Sequence, residues 1–327
     1  MAKRNRYYQG PVTDHFDGVR FFNPDHPDTD RSLGALLRWR FQEAHAPWPK
    51  SVPGRQVTPD KRVTGLRVTM VGHATVLIQS GGLNLLTDPV WSDRASPVRF
   101  AGPKRVTDAG IAFADLPPID VVLLSHNHYD HLDLTTLRRL HAAHRPIIVT
   151  PLGNDALIQK AIPEARVITG DWGDCIPLDQ GAEVHIVPAH HWSARGLGDR
   201  RMALWGGFML RTSGGLTYFA GDTGYGNGAI FRVMKARYGS PDIALLPIGA
   251  YAPRWFMADQ HTDPAEAVKI MLDLDAGSAV GIHWGGFRLT DEGREEPLVL
   301  LAEALATAGI APERFRAASP GDVFDVL

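Results

Sequence analysis

The 327-residue sequence carries 34 Lys+Arg against 36 Asp+Glu, 14 His and a single Cys, with 44% hydrophobic and 21% charged residues, the composition of an ordinary globular protein with a large core. A formal net charge of -2 supplies no broad cationic field, which argues against sequence-tolerant nucleic-acid binding. Cys175 has no partner in the chain, so an intramolecular disulfide and a Cys-rich zinc or iron–sulfur site are excluded, and a catalytic metal would have to rest on His and carboxylates.

The chain begins Met1-Ala2-Lys3-Arg4 and runs into polar residues and Pro11 instead of an apolar stretch, so no signal peptide is expected. Residues 1–62 are punctuated by Pro11, Pro24, Pro27, Pro47, Pro49, Pro53 and Pro59 and read as an irregular N-terminal extension. Only 31–45 reads as a helix there, because Leu33, Leu36, Leu37, Phe41 and Ala44 fall on one arc. With Arg31, Arg38 and Arg40 nearby, that helix is a candidate for lying on anionic lipid. From residue 63 the pattern becomes that of a domain reaching residue 327. Strands are expected at 66–71, 75–78 and 83–86, with Ser80-Gly81-Gly82 turning between the last two. Further strands follow at 121–124, 147–149, 184–187, 203–211, 216–219, 243–246 and 279–282. Helices are expected at 134–144, 154–161, 229–237, after Asp263-Pro264, and at 297–308. The alternation predicts one layered α/β domain whose two sheets are covered by helices. The apolar runs are too short for the roughly 20 residues that span a bilayer. The expected location is cytoplasmic, or peripheral at the inner membrane surface.

His126-Asn127-His128-Tyr129-Asp130-His131 directly follows the apolar run 121–124. A buried strand ending in such a loop puts several ligands on a rigid support. His126 and His128 can reach one ion while Asp130 and His131 turn toward a second, and imidazole with carboxylate suits Zn²⁺ and other divalent first-row ions. Four ligands cannot complete two sites, so more are expected at later strand ends. His190-His191, Asp222 in Gly221-Asp222-Thr223-Gly224, and His283 each stand just beyond a predicted strand.

This constellation resembles the metallo-β-lactamase fold of dinuclear metallohydrolases. Longer segments are similar to N-acyl-phosphatidylethanolamine-hydrolysing phospholipase D: Leu86-Thr87-Asp88-Pro89, Arg94-Ala95-Ser96-Pro97, Gly102-Pro103-Lys104-Arg105, residues 125–133, 221–225 and 247–257, and Ile282-His283-Trp284-Gly285. The resemblance runs from about residue 66 to near the C-terminus. It implies an α/β fold of the metallo-β-lactamase type, an αβ/βα sandwich of two mixed sheets flanked by helices. It implies one metal on His126, His128 and His191, a second on Asp130, His131 and His283, and Asp222 bridging. His191 is chosen over His190 because His191-Trp192 matches the end of the family's Gln-His-Trp, which leaves His190 as an orienting or substrate contact.

The implied function is that of a metal-dependent hydrolase, a phosphodiesterase of phospholipase D type acting on N-acyl-phosphatidylethanolamine or a related amphiphile. Its cofactors would be two divalent ions, Zn²⁺ foremost with Mn²⁺ or Fe²⁺ as alternatives, sharing a bridging hydroxide as nucleophile. Asp130, Asp222 and His261 are the catalytic candidates, His261 serving proton delivery to the leaving alcohol. Asp88 is expected to hold a metal-bound imidazole by its other N–H, and His73 is either a similar partner or a buried structural histidine. Tyr129, Tyr251, Arg254 and Trp255 either line the substrate site or pack internally, with Arg254 paired to a carboxylate. Peripheral membrane contact and a homodimer are the further expected associations. The competing readings are a lactonase or β-lactamase-like hydrolase of the same fold, and a metal- or lipid-binding module without catalysis. A redox di-iron protein is disfavoured because His128 stands where those proteins offer a carboxylate.

Overall fold

The apolar runs assemble into two mixed sheets of seven strands each. The computed structural model describes residues 4–26, 29–42, 46–196 and 198–326, and within the first helix the side chains of residues 34–39. The first sheet takes β1 (Leu66–Gly72), β2 (Thr75–Ser80), β3 (Leu83–Thr87), β4 (Val121–Leu123), β5 (Ile147–Pro151) and β6 (Val167–Gly170). The second takes β7 (Cys175–Pro177), β8 (Glu183–Val187), β9 (Gly207–Thr212), β10 (Gly215–Phe219), β11 (Ile243–Pro247), β12 (Ser278–Ile282) and β13 (Phe315–Ala317). The last strand, β14 (Val323–Val326), returns to the first sheet and pairs with β1. The helices are α1 (Leu33–Gln42), α2 (Leu134–His144), α3 (Asn154–Ala161), α4 (Ala229–Tyr238), α5 (Arg254–Met257), α6 (Pro264–Asp273) and α7 (Glu296–Ala308).

Three apolar layers follow from side-chain alternation along the strands. Val68, Ile78, Leu85 and Val121 of the first sheet meet Val184, Leu210, Leu245 and Val280 of the second between the sheets. Leu77, Leu86, Val122 and Ile148 face outward onto Leu137, Leu140 and Ile158 of α2 and α3. Tyr218, Ala244, Leu246 and Ala279 do the same on the other side, against Phe231, Val268, Met271 and Leu305 of α4, α6 and α7. Strands β3 to β6 are mutually parallel, as are β10 to β13, so their ends come to one side of the sandwich. Antiparallel pairing of β9 with both neighbours gives β8 the direction of β10.

Most predicted elements stand within a residue or two. The predicted strand at 203–211 begins only at Gly207, because residues 203–206 are drawn into a separate apolar cluster in which Leu204 and Trp205 pack with Phe16, Phe21 and Ala189. Four short strands, β6, β7, β13 and β14, carry too few apolar residues to announce themselves and depend on a neighbour for pairing. In the predicted helix 31–45 the described part is α1; residues 43–45, and the side chains of Leu33, Arg40 and Phe41, lie outside the described residues. Its arc is not buried throughout: Leu36 and Leu37 are exposed, while Trp39 packs on Phe256 and donates its indole N–H to Asp291.

The N-terminal segment lies along the domain through specific contacts. Asn5 donates its side-chain amide to the carbonyls of Val19 and Met202, Tyr7 donates its hydroxyl to Asp199, and Asn23 donates to the carbonyl of Ala189. His15 stands between Asp14 and Asp171, and Arg31 reaches Asp259 and the carbonyl of Phe256.

Candidate metal centre

Every sequence-predicted ligand leaves the same side of the sandwich. Four follow the end of β4, and Asp222, His283 and His191 follow β10, β12 and β8. Parallel strands converge their carboxyl ends on a crevice, which is where ligands bind in such sheets. The loop after β4 is closed by Asp133, which caps α2 by accepting the backbone N–H groups of Thr135 and Thr136. Gly221 lets the β10 loop approach the β4 loop: at φ 61°, a Cβ there would meet that of Ser125 at 2.6 Å. His73, Asp88 and His283 are also held at positive φ, 58°, 30° and 60°, a conformation that costs of order 1–3 kcal/mol per non-glycine residue.

The side chains form two groups around one carboxylate. Nδ1 of His128 lies 2.9 Å from Nε2 of His126 and 3.2 Å from Nε2 of His191. On the other side, Nε2 of His283 lies 3.2 Å from Nε2 of His131 and 3.3 Å from Oδ2 of Asp130. Asp222 stands between the groups, Oδ2 being 3.2 Å from His131, 3.7 Å from His191 and 3.9 Å from His126, and Oδ1 being 3.1 Å from His283.

The outer nitrogens of three rings are already committed. Nδ1 of His131 is 2.6 Å from Oδ2 of Asp88, Nδ1 of His126 is 2.9 Å from Oγ of Ser125, and Nδ1 of His191 is 2.9 Å from the carbonyl of Gln260. Each such contact turns Nε2 inward, the arrangement found around metal-bound imidazoles. Asp88 is itself fixed by the backbone N–H and hydroxyl of Ser125. His73 donates its Nε2–H to Asp130 Oδ2, 3.0 Å away, and so joins the second group at its rim.

The electrostatics fit cations. Burial keeps His126 and His191 well below the usual histidine range and His128 down at about 3, so these three imidazoles carry free lone pairs at neutral pH. Burial also opposes ionisation of Asp130 and Asp222, but the adjacent His131 and His283 hold both carboxylates well below their usual range. Against the same burial, those carboxylates push His283 up to about 9 and His131 well above its ordinary value. One hydrogen cannot serve three ring nitrogens that meet around His128 Nδ1, and His128 Nε2 is buried without a hydrogen-bond partner. Imidazole nitrogens and ionised oxygens gathered in this way are a divalent-ion donor set, and cation binding would release the protons on His131 and His283.

Comparison with known proteins agrees with this geometry. The profile of the β-lactamase superfamily domain matches residues 83–284. N-acyl-phosphatidylethanolamine-hydrolyzing phospholipase D 1 of Caenorhabditis elegans is 36% identical over 266 residues, 78% of this chain and 74% of that protein. This chain belongs to the N-acyl-phosphatidylethanolamine-hydrolysing phospholipase D-like family of the metallo-β-lactamase superfamily. The yeast relative, N-acyl-phosphatidylethanolamine-hydrolyzing phospholipase D, mitochondrial, of Saccharomyces cerevisiae, is also 36% identical, over 72% of this chain and 51% of its own length. Among solved structures, an isothiocyanate hydrolase from Delia radicum gut bacteria superposes with a TM-score of 0.62 at 22% identity, covering 79% of this chain and 98% of that one, which speaks for the shared fold. The protein is thus a metal-dependent hydrolase with a candidate His/Asp metal site.

Around that centre, the other predicted residues divide. His261 lies at it, Nδ1 3.9 Å from Asp222 Oδ2 and ring centroid 5.0 Å from that of His191. His190 turns away from the ligands and stacks flat on His26, with centroids 3.9 Å apart. Tyr251 and Arg254 take internal partners: the Tyr251 hydroxyl donates to Glu296, and Arg254 donates to Glu266 and to the carbonyl of His261. Trp255 is half-exposed beneath the guanidinium of Arg38. Tyr129 donates its hydroxyl to the carbonyl of Arg195.

Arg195 is the contributor that sequence reasoning missed. Its guanidinium donates to the carbonyls of Asn127, at 3.1 Å, and Leu132, at 2.7 Å, and stacks 3.9 Å above the ring of Tyr129. It thereby spans the ligand loop from behind. No motif marks it, because the contact joins residues more than sixty positions apart. Gln260 is similar: its carbonyl faces His191 while its side-chain oxygen accepts the indole N–H of Trp192.

Proposed function

We propose that the protein hydrolyses an amphiphilic phosphodiester of the N-acyl-phosphatidylethanolamine class, in a phospholipase D-type reaction, on two divalent cations with Zn²⁺ foremost. The observation that carries this reading is Asp222 standing between two groups of inward-turned donors, in a chain related along most of its length to hydrolases named for that substrate. His126, His128 and His191 would hold one ion, Asp130, His131 and His283 the other, and Asp222 both. When bound, such ions make water a stronger nucleophile and offset negative charge on phosphoryl oxygens.

The chain's own groups supply orientation and proton movement. Asp88, Ser125 and the Gln260 carbonyl hold the rings so that the donors need no rearrangement. Burial lowers His261 to about 4, so at neutral pH it is a neutral imidazole. In that form it can take a proton from the attacking water as the new P–O bond forms. It can then pass that proton to the alkoxide released as the old P–O bond breaks. Arg254 fixes the His261 backbone through its carbonyl. The exposed Leu36 and Leu37 of α1 offer the same substrate class a place to meet a lipid surface.

The test is release of N-acylethanolamine and phosphatidic acid from N-acyl-phosphatidylethanolamine vesicles by metal-loaded protein, run beside a lactone and a β-lactam. Fastest turnover on the phosphodiester is expected. Metal-loaded protein that opens the lactone or lactam and leaves the phospholipid intact would overturn the substrate class. Leu36→Glu/Leu37→Glu should reduce flotation with anionic vesicles; unchanged flotation would remove the proposed role of α1.

A further inference from the structure

Away from the metal centre, the outer rim of the second sheet gathers three side chains of different chemistry. Cys175, on the edge strand β7, is paired across the ladder with His185 of β8, and Glu183 lies two residues before His185 on the same face. The face is fixed by alternation: Val184 and Ile186 enter the core between the sheets, which sends Glu183 and His185 outward. There the ring of His185 packs against Tyr238 at the end of α4, with centroids 4.8 Å apart, while Cys175 remains exposed.

Cys175 and His185 both approach the Glu183 carboxylate, each at a different oxygen. Sγ of Cys175 lies 3.6 Å from Oε2 of Glu183, and Nε2 of His185 lies 3.3 Å from Oε1 of the same carboxylate. One donor atom from each of the three lies within 4.8 Å of the others. An ion with Zn–S near 2.3 Å and Zn–N and Zn–O near 2.0–2.1 Å spaces tetrahedral donors about 3.3 to 3.6 Å apart. The neighbouring charge is Arg211, opposite Glu183 on β9, with Nε 3.6 Å from Oε1; its guanidinium is anchored at the carbonyl of Tyr238 and leaves Oε2 to the thiol side.

We propose that Cys175, Glu183 and His185 form a peripheral binding site for one thiophilic divalent cation of the Zn²⁺ class. A mixed thiolate, imidazole and carboxylate set selects such ions over Mg²⁺ or Ca²⁺, which prefer oxygen alone. Binding breaks the S–H bond and sends its proton to solvent; the thiolate sulfur, the imidazole nitrogen and a carboxylate oxygen then bond to the ion, and water completes the shell. Burial together with Glu183 raises the Cys175 thiol above its usual value, so the affinity rises with pH. A bound ion would clip the three-residue edge strand β7 to β8 and cover the chain's only thiol.

Because Cys175 is the only cysteine, a thiolate-to-metal signal reports this site alone. Full-length apo-protein is titrated with Co²⁺ and followed in the near ultraviolet. A charge-transfer band that the His/Asp centre has no sulfur to produce is expected, absent in Cys175→Ser, with affinity lowered about 10- to 100-fold or more in His185→Ala and in Glu183→Gln. Zn²⁺ should also slow the reaction of Cys175 with a disulfide reagent in the unaltered protein and leave it unchanged in His185→Ala. No band at saturating Co²⁺, or a band and a protection that survive both His185→Ala and Glu183→Gln, would overturn the site.

Discussion

His126, His131 and His283 follow the ends of parallel central strands, each within a few residues of a buried apolar run, so the sheets alone bring them together. His191 and the segment leading to Trp205 are carried differently. The stretch from Ala189 to Trp205 that contains His191 is held by Asn5, Tyr7, Phe16, Phe21 and Asn23, residues more than 160 positions away, and by Arg195 reaching back to the ligand loop. Half of the centre is therefore a property of local strand order, and the other half depends on a wrapping N-terminal segment. The difference implies that substitutions in the strand-end half act on metal binding directly, whereas those in the wrapped half act first on the stability of the wall.

The largest effect should come from the residue that joins the halves. Asp222→Ala removes the carboxylate between both groups and with it the charge that raises His131 and His283. Turnover should fall by at least about 100-fold, beyond the range for orienting partners, with metal content reduced in the same preparation. Full metal content and full turnover would break the comparison, because no bridging role would remain. Asp88→Asn should follow, costing about 10- to 100-fold in metal affinity, since the amide no longer offers His131 a charged acceptor at Nδ1. A competition titration against a chelator measures it.

Arg195→Gln probes the wrapped half. The substitution removes the charged donor from the Asn127 and Leu132 carbonyls, and hydrogen bonds to charged groups contribute about 1.5–3 kcal/mol each. Metal-free protein should lose about 2 kcal/mol in denaturant unfolding, with a smaller rise in metal Kd than in Asp88→Asn. If the metal Kd changes more than it does in Asp88→Asn while stability is untouched, Arg195 acts on the donors and the division drawn above is wrong.

How much of this was legible in the sequence follows from the same division. The layered sandwich was legible because strand runs are contiguous in the chain, and the four candidate ligands of 126–131 because they cluster in one loop; His191, Asp222 and His283 were reached through their places beyond predicted strands and through the family resemblance. Ser125 hides as a neighbour of His126, and its contact to Asp88 needs the β3 and β4 ends side by side. Arg195, Gln260 and the partners of Tyr251 and Arg254 depend on tertiary approach, which no local pattern encodes. Strands β7 and β13 were missed because, unlike the equally short but wholly apolar β4, they carry too few apolar residues to stand out from their surroundings. Whether Leu36 and Leu37 would be covered was left open for the matching reason: an apolar arc on a short helix says that burial is favourable, and not that a partner is present.

The smallest effect should come from the anchor of the N-terminal segment, and it is a function of pH. His15 is nearly buried, stacks on Trp172 and stands 2.7 Å from Asp171 and 2.6 Å from Asp14. Burial opposes its charge, but the two carboxylates outweigh that and raise its pKa above the ordinary value near 6.5. A group whose folded-state pKa is raised binds its proton more tightly when folded, so its stabilisation is fully present below about pH 6.5 and fades as the pH climbs through the folded-state value. His15→Asn should therefore cost about 1 kcal/mol at mildly acidic pH and progressively less above neutrality. Paired denaturation curves across that range measure the difference. A pH-independent difference would mean that the ion pair contributes nothing and that the segment is held by its other contacts, those of Asn5, Tyr7, Phe16, Phe21 and Asn23. A separate early transition in the variant, with loss of metal affinity at His191, would show instead that the wrapped half of the centre unfolds as its own unit.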